Sequence, residues 1–342
     1  MFRFLIRRLL WAAFLFLAVT VVTYVIFFLA PANPERLICG GERATTACLN
    51  EARENLKIDR PVYVQYGNYL WKLIHPEVSK VAGIPVPHPA LDMGKSYITR
   101  QSVNDIVRSA APVTAALVFG GAIIWMMVGL SVGILSALRP RSLLDRAAMV
   151  FVLVGVSAHP VWIGLIFSYF FGYKLGWTPI TGYCDFFSPS EGLECGGARD
   201  WFSHMILPWL TFAILFAALY VRMVRANVME TMNEDYVRTA RAKGAPESRV
   251  MRSHILRNAL LPVVTMLGMD IGLALGGAIF TETVYSLPGL GQTAIRAVDN
   301  YDLPIVMGVT VFATIAIIVF NLIVDLTYAV LDPRVGTQES RR

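Results

Sequence analysis

The sequence predicts an all-α integral membrane protein with six transmembrane helices. Of its 342 residues, 56% are hydrophobic and only 16% are charged, a composition far from that of a soluble domain. Six apolar segments are long enough to cross a bilayer, which takes about 20 residues each. The predicted spans are 9–29, 113–138, 149–171, 205–224, 263–284 and 305–331.

The first span, in a segment covering residues 1–30, fixes the predicted orientation. Arg3, Arg7 and Arg8 precede it, and basic residues flank spans on the cytoplasmic side. A cleaved signal peptide is the alternative, but the apolar run is too long and Ala30-Pro31-Ala32 is a poor cleavage site because of its proline. Six spans then place both termini in the cytoplasm.

The second segment, residues 31–108, is polar and is predicted to be an extended extracytoplasmic loop. Its aromatic run favours an amphipathic helix at the membrane interface, where aromatic rings with a polar edge are stable. A substrate-facing surface is the alternative. The aromatic residues are Tyr63, Tyr66, Tyr69 and Trp71. Residues 109–342 then form a five-helix core that contains a cytoplasmic loop at 225–262.

This cytoplasmic loop holds the one long polar stretch in the second half of the chain. Its arginines again indicate the cytoplasmic side. Asn233 is a good N-cap, and Glu234 and Asp235 suit the first turn of a helix. Gly244 is the residue type that ends a helix in the left-handed conformation, and Pro246 suits the start of another. We therefore expect a short capped helix that is presented to a partner.

The loop resembles a known motif. Residues 235–244 read DYVRTARAKG and residues 257–262 read RNALLP, which is similar to the EAA-type cytoplasmic motif of ATP-binding-cassette (ABC) importer permeases of the dipeptide, oligopeptide and nickel family. Arg238 stands where many families have Glu, and Leu261-Pro262 lie farther from Gly244 than in sugar permeases; both departures are usual in the peptide subfamily. Further matches are DRPVYVQYGNYLWKL at 59–73, SLPGLGQ at 286–292 and LDPR at 331–334.

The resemblance implies the type I ABC importer permease fold and the B-type peptide permease subunit. It also implies that the short helix docks into a cleft on a cytoplasmic ATPase and transmits its movement. The residues given this coupling role are Asp235, Tyr236, Val237, Arg238, Thr239, Ala240, Arg241, Ala242, Lys243 and Gly244.

The implied partners are a second homologous permease subunit, two cytoplasmic ATPase subunits and an extracytoplasmic substrate-binding protein, in the cytoplasmic membrane of a bacterium. The sequence has no GxxxxGK[ST] phosphate loop and no comparable catalytic motif. We therefore expect a permease subunit that is not an enzyme and has no cofactor of its own, with ATP and Mg²⁺ bound by its partners. The net charge of +6 is explained by the cytoplasmic segments, so we expect no nucleic-acid partner.

Four residues in or near the predicted spans are candidates for the substrate pathway, because polar groups inside spans rarely face lipid. They are His159, Trp162, Asp270 and Glu282. Pro160 is expected to bend the third span, and His159 has an alternative role in bonding at that bend. Asp270 would attract the amino group of a peptide, or equally would make a structural bond between helices.

The four cysteines, Cys39, Cys48, Cys184 and Cys195, all fall in the two predicted outer loops, where oxidising conditions favour disulfides. Cys39 with Cys48 and Cys184 with Cys195 is the most local of three possible pairings. No metal site is predicted, because no CxxC occurs and the histidines are scattered.

Other functions stay open at this point. An ion-gradient-driven secondary transporter would use His159, Asp270 and Glu282 as a proton relay. A membrane scaffold without transport is another possibility. Within the ABC family, nickel or another small solute could replace peptides as the substrate.

Overall fold

The computed structural model describes residues 2–29, 39, 45–47, 49–50, 61–74, 79–81, 84–86, 92–187 and 195–331. These residues are mostly helical. The helices are α1 Phe2–Leu29, α2 Val62–Ile74, α3 Val103–Leu138, α4 Leu143–Ser157, α5 Pro160–Lys174, α6 Ala198–Met232, α7 Asp235–Ala242, α8 Glu247–Ala259, α9 Leu261–Ala274, α10 Ile279–Tyr285, α11 Leu290–Asp299 and α12 Leu303–Leu331. A short antiparallel hairpin joins β1 Ser79–Val81 to β2 Ile84–Val86, with Ser79 opposite Val86 and Val81 opposite Ile84.

Four helices in the described part of the chain are long and apolar enough to cross a membrane. They are Ile6–Ile26 within α1, α3, α6 and Leu303–Val324 within α12. Two further pairs of helices are long and apolar enough only if the two helices of each pair are counted together. A short break separates them, and the chain bends there by 105° between α4 and α5 and by 44° between α8 and α9. The number of spans is therefore four, or up to six if each bent pair is one span.

The predicted third span, 149–171, is broken into two helices that meet at 105°. The helix stops at Ser157, and His159 takes an extended conformation with φ −73° and ψ 136° before Pro160 opens α5. Proline forces this result, because its ring disfavours the helical conformation in the residue before it while its own φ suits the first turn of a new helix. The predicted bend at Pro160 is confirmed.

The fifth span, predicted over 263–284, is also interrupted. Helix α9 ends at Ala274, and α10 begins only at Ile279. Gly277 lies between them with φ +134°, a conformation that L side chains rarely adopt. Adjacent glycines at 276 and 277 thus allow a turn in a segment that its hydrophobicity alone assigns to one helix.

One of two compact units comprises residues 1–112 and 289–316. Its apolar core includes Leu73, Val103, Leu290 and Val311. The predicted loop boundary at residue 108 lies inside α3, which begins at Val103 and contributes to this core.

Helix α2 of this unit is fixed by hydrogen bonds to α1. The hydroxyls of Tyr66 and Thr20 lie 2.9 Å apart, and the Tyr24 hydroxyl donates to Gln65 at 3.2 Å. The predicted aromatic helix is therefore present as α2. Tyr63 and Trp71 are exposed on it, which fits both the interface helix and the substrate-facing surface.

The other unit comprises residues 113–288 and 317–342. Here α3 packs closely on α6, because a Cβ atom on Gly129 would lie 2.6 Å from Tyr220 Cβ and one on Gly133 would lie 2.8 Å from Val224 Cβ. Only glycine permits this approach, and small residues allow the same close packing between membrane helices in general.

Candidate coupling and transport sites

The short helix predicted from the polar loop is α7, Asp235–Ala242. Its predicted N-cap is wrong: Asn233 ends α6, and Glu234 precedes α7 with an extended backbone. The reason is that the Asn233 side chain donates to Met229 O at 2.9 Å, and its backbone N–H donates to Glu230 O. Asn233 is thus committed to α6, and α7 follows after only two linking residues.

The end of α7 agrees with the prediction. Gly244 has φ +75°, and its N–H donates to Arg241 O at 2.9 Å, while the Ala245 N–H donates to Ala240 O at 3.2 Å. This left-handed glycine satisfies the last carbonyls of the helix and turns the chain towards α8.

Helix α7 has one buried side chain, and most of its surface is open. Val237 is buried, and α7 packs on α8, where Val250 and Ile255 are also buried. The other residues at 235–244 are exposed, apart from partly buried Ala240. The helix is therefore held by one edge and presents the rest of its surface.

Polar bonds connect α7 and α6 to α8. Asn258 Nδ2 donates to the Tyr236 hydroxyl at 2.8 Å, and Asn227 Nδ2 donates to Ala259 O at 3.3 Å. Arg241 donates to Glu247 through Nε at 3.1 Å and Nη2 at 2.7 Å, which raises the pKa of Arg241. Helices α6, α7 and α8 thus form one cross-linked assembly.

A partly buried ion pair at the start of α4 was not predicted. Arg225 of α6 donates to Asp145 through Nε at 2.7 Å and Nη2 at 3.0 Å. Asp145 also accepts from the Ser136 hydroxyl of α3 and from the Arg141 N–H at 2.8 Å. One carboxylate therefore joins α3, α4 and α6. The Ser-x-x-Asp spacing of Ser142 and Asp145 is a sequence pattern that marks the start of a helix, and Ser142 does cap α4 by accepting from the Asp145 N–H. This pattern could have drawn attention to Asp145 but not to its partner.

Two of the pathway candidates lie at the α4–α5 break. His159 is exposed, and its Nδ1 accepts from the Val161 N–H at 3.3 Å, so the imidazole caps α5. Its ring also packs edge-on against the Phe280 ring, with the two ring centroids 4.9 Å apart. The bonding role at the bend therefore accounts for His159, while Trp162 is exposed on α5.

The two acidic candidates differ in exposure. Glu282 is fully buried and accepts from the Thr114 hydroxyl at 2.7 Å. Asp270 is half-buried and accepts the Tyr220 hydroxyl on Oδ2 at 2.7 Å. The predicted structural bond between helices is thus present for Asp270, and among the described residues its Oδ1 is left for a further donor. His159 and Trp162 thus lie together, with the Trp162 N–H donating to His159 O at 3.0 Å, whereas Asp270 and Glu282 are bonded to different helices, α6 and α3.

One predicted disulfide is present. Cys184 and Cys195 are bonded and close an eleven-residue separation. The His204 ring lies against the buried Cys184 sulfur, with Nδ1 3.4 Å from it. Cys48 lies outside the described residues, so the Cys39–Cys48 pair stays a prediction. Within the described ranges, no group of three His, Cys, Asp or Glu is placed to hold a metal ion.

Comparison with known proteins places this architecture in a family. Residues 129–337 match the family described as binding-protein-dependent transport system inner membrane component, and residues 1–118 match the N-terminal part of such membrane components. The di/tripeptide transport system permease protein DppB of Pseudomonas aeruginosa strain UCBPP-PA14 is 34% identical over 351 residues, covering 99% of this chain and 100% of the relative. A probable D,D-dipeptide transport system permease protein, DdpB, of Escherichia coli K12 is 34% identical over 347 residues, covering 97% of each. The chain therefore belongs to the family of binding-protein-dependent transport system inner membrane components.

Proposed function

We propose that this chain is one of two membrane subunits of an ATP-driven ABC importer that carries peptides across the cytoplasmic membrane. The observation that carries the proposal is α7, a short helix held along one edge by α8 and open on its other faces. The two relatives named above are described as permeases for di/tripeptides and for D,D-dipeptides, which supports a short peptide as the substrate.

In this proposal, α7 lies in the cytoplasm and docks on an ATPase subunit. The arginines of the surrounding segment support this orientation. A second, homologous permease subunit completes the pathway, two ATPase subunits bind ATP and Mg²⁺, and an extracytoplasmic binding protein delivers the peptide. Both termini are then cytoplasmic.

The contacts of α7 explain how its movement would reach the membrane. Helix α6 has 35 residues and so extends about 50 Å. It is separated from α7 by only two residues and is bonded to α8 through Asn227. Arg225 then joins α6 to Asp145 of α4. A displacement of α7 by an ATPase therefore acts on a stiff rod that is bonded to both α4 and α8.

Asp270 is the candidate for contact with the substrate. Its Oδ2 accepts from Tyr220, and within the part of the chain that the structure describes Oδ1 remains for another donor. A peptide amino group is a cation with N–H donors, so it matches this oxygen. The amino-group role of Asp270 is thus compatible with its bond to Tyr220.

The test reverses one charge on the open face of α7. Arg238→Glu is chosen because the Arg238 side chain is 69% exposed and its ion pair, to Asp235 at 3.9 Å, is with a side chain that is 99% exposed, so losing that pair should cost little stability. Arg199→Glu is the matched control, since Arg199 is an exposed arginine at the opposite end of α6. We expect Arg238→Glu to abolish co-purification of the ATPase subunits and substrate-stimulated ATP hydrolysis, while Arg199→Glu retains ATPase association.

Two results would contradict the proposal. One is normal ATPase association and coupling with Arg238→Glu. The other is peptide uptake into liposomes that contain the permease subunits without any ATPase but with a proton gradient, which the secondary-transporter alternative requires.

A further inference from the structure

A groove of about 410 Å³ runs between α4 and α6. On the α4 side it is lined by Met149, Val152, Leu153 and Val156. Their spacing of three, one and three residues places them on one stripe of the helix. The α6 side contributes Arg222 and Arg225, which lie three residues apart and so face the same way. The groove is thus apolar along one wall and cationic on the other.

The cationic wall carries a charge that the described residues do not balance. Arg225 uses Nε and Nη2 for Asp145, which neutralises it and leaves Nη1 available, and its side chain is 24% exposed. Arg222 is exposed and has no ion pair or hydrogen bond to any residue that the structure describes. The groove therefore has a net charge of about +1 within an apolar helix pair, where an uncompensated charge is costly.

The apolar wall continues onto an open hydrocarbon-like surface. Leu153 is 69% exposed, and its neighbours Val150 and Val154 are also exposed. A water-filled pathway would leave these side chains in unfavourable contact with water, whereas acyl chains suit them. A ligand that fits both walls has an anionic head and a long apolar tail.

We propose that this groove binds one anionic phospholipid of the cytoplasmic leaflet. Its phosphate lies between Arg222 and the Nη1 group of Arg225, and one acyl chain follows the α4 stripe. Basic pockets between membrane helices on the cytoplasmic side have this chemistry. The assignment to the cytoplasmic leaflet depends on the orientation given in the proposed function, whereas the binding site itself is inferred from the groove alone.

The site also explains why α6 has two arginines one turn apart. Asp145 holds Arg225 in place, and the lipid supplies the anion that Arg222 otherwise lacks. Arg222 lies ten residues before the end of α6 at Met232. A bound lipid would therefore stabilise α4 against α6 close to the point where α7 begins.

The experiment measures lipid retained by the purified importer complex. The complex is extracted, stripped with detergent, exposed to mixed vesicles of phosphatidylglycerol and phosphatidylcholine, repurified and analysed by native mass spectrometry. We expect the parent to retain phosphatidylglycerol in preference to phosphatidylcholine. Arg222→Gln should lower the retained phosphatidylglycerol at least fivefold, and Val156→Trp, which fills the apolar end, should lower it with both arginines intact. The control Arg199→Gln removes an equal charge at the other end of α6 and should retain the parent level.

Equal retention of both lipids by the parent, or equal retention by the parent and Arg222→Gln, would overturn the site. A second measurement tests whether protein covers the groove instead. Leu153→Cys in the assembled complex should react with a lipid-soluble maleimide and should not cross-link to the other permease subunit. Such a cross-link would assign the groove to the subunit interface and reject the lipid. Because no nucleotide is used, these failures are distinguishable from failure of the coupling role of α7, which the Arg238→Glu test decides.

Discussion

The Asp145–Arg225 pair gives the sharpest test of how the membrane helices are held together. Asp145→Asn keeps the volume of the side chain but removes its charge. The carboxylate accepts four hydrogen bonds: two from Arg225, one from Ser136 and one from Arg141. The amide accepts through one oxygen only, and its NH₂ group would face the guanidinium. The change therefore leaves Arg225 without a counter-charge.

The size of the effect follows from burial. Removing one partner of a buried ion pair costs about 3–5 kcal/mol, because the other charge remains uncompensated. The side chains of Arg225 and Asp145 are 24% and 7% exposed, so the guanidinium keeps some access to its surroundings. We therefore expect the free energy of unfolding to fall by about 3 kcal/mol, the lower end of that range.

The chain contains its own control. Arg241 and Glu247 form a second two-bond pair, at 3.1 and 2.7 Å, but their side chains are 37% and 60% exposed. Exposed pairs contribute little, because water already solvates both charges. Glu247→Gln should leave the unfolding transition unchanged within error. Both variants are measured in detergent by titration with denaturant, with tryptophan fluorescence reporting the unfolding transition. Equal destabilisation by the two variants, or none with Asp145→Asn, would refute the argument from burial.

Two further predictions concern glycines. Gly244→Val should destabilise the end of α7 by roughly 1–2 kcal/mol, the cost of a left-handed conformation, because φ is +75° there; nothing lies within 4 Å of the new Cβ, so the backbone alone sets this cost. Gly67→Ala is the control: the site is equally open but lies inside α2 without a left-handed φ, so this change should stabilise by roughly 0.5–1 kcal/mol. The opposite order of the two variants in thermal unfolding would contradict this. Gly268→Ala should destabilise by about 1–3 kcal/mol through overpacking, since its Cβ would clash with Val324 Cγ2. Adding Val324→Ala removes that atom and should restore part of the loss, whereas no recovery in the double variant would reject the contact.

The features that could be read from the sequence are those set by near neighbours. Gly244 ends a helix because of its own backbone freedom, and Pro160 breaks one because of its own ring. The disulfide between Cys184 and Cys195 was found as the most local pairing. One interaction between near neighbours was nevertheless missed. Asn233 is a residue type that suits an N-cap, but its side chain donates a hydrogen bond to Met229 O in the preceding helix instead.

The helical, multi-span class, the family and the position of the short helix α7 could be predicted without a structure, because hydrophobic length and short motifs depend on residues that are consecutive in the chain. The pairing of polar groups inside the helices could not, because it depends on how distant helices pack. Arg225 meets Asp145 across 80 residues and Glu282 meets Thr114 across 168, and no local pattern encodes such a pairing. A carboxylate in a hydrophobic segment must find a partner, but the partner it finds depends on which helices pack together.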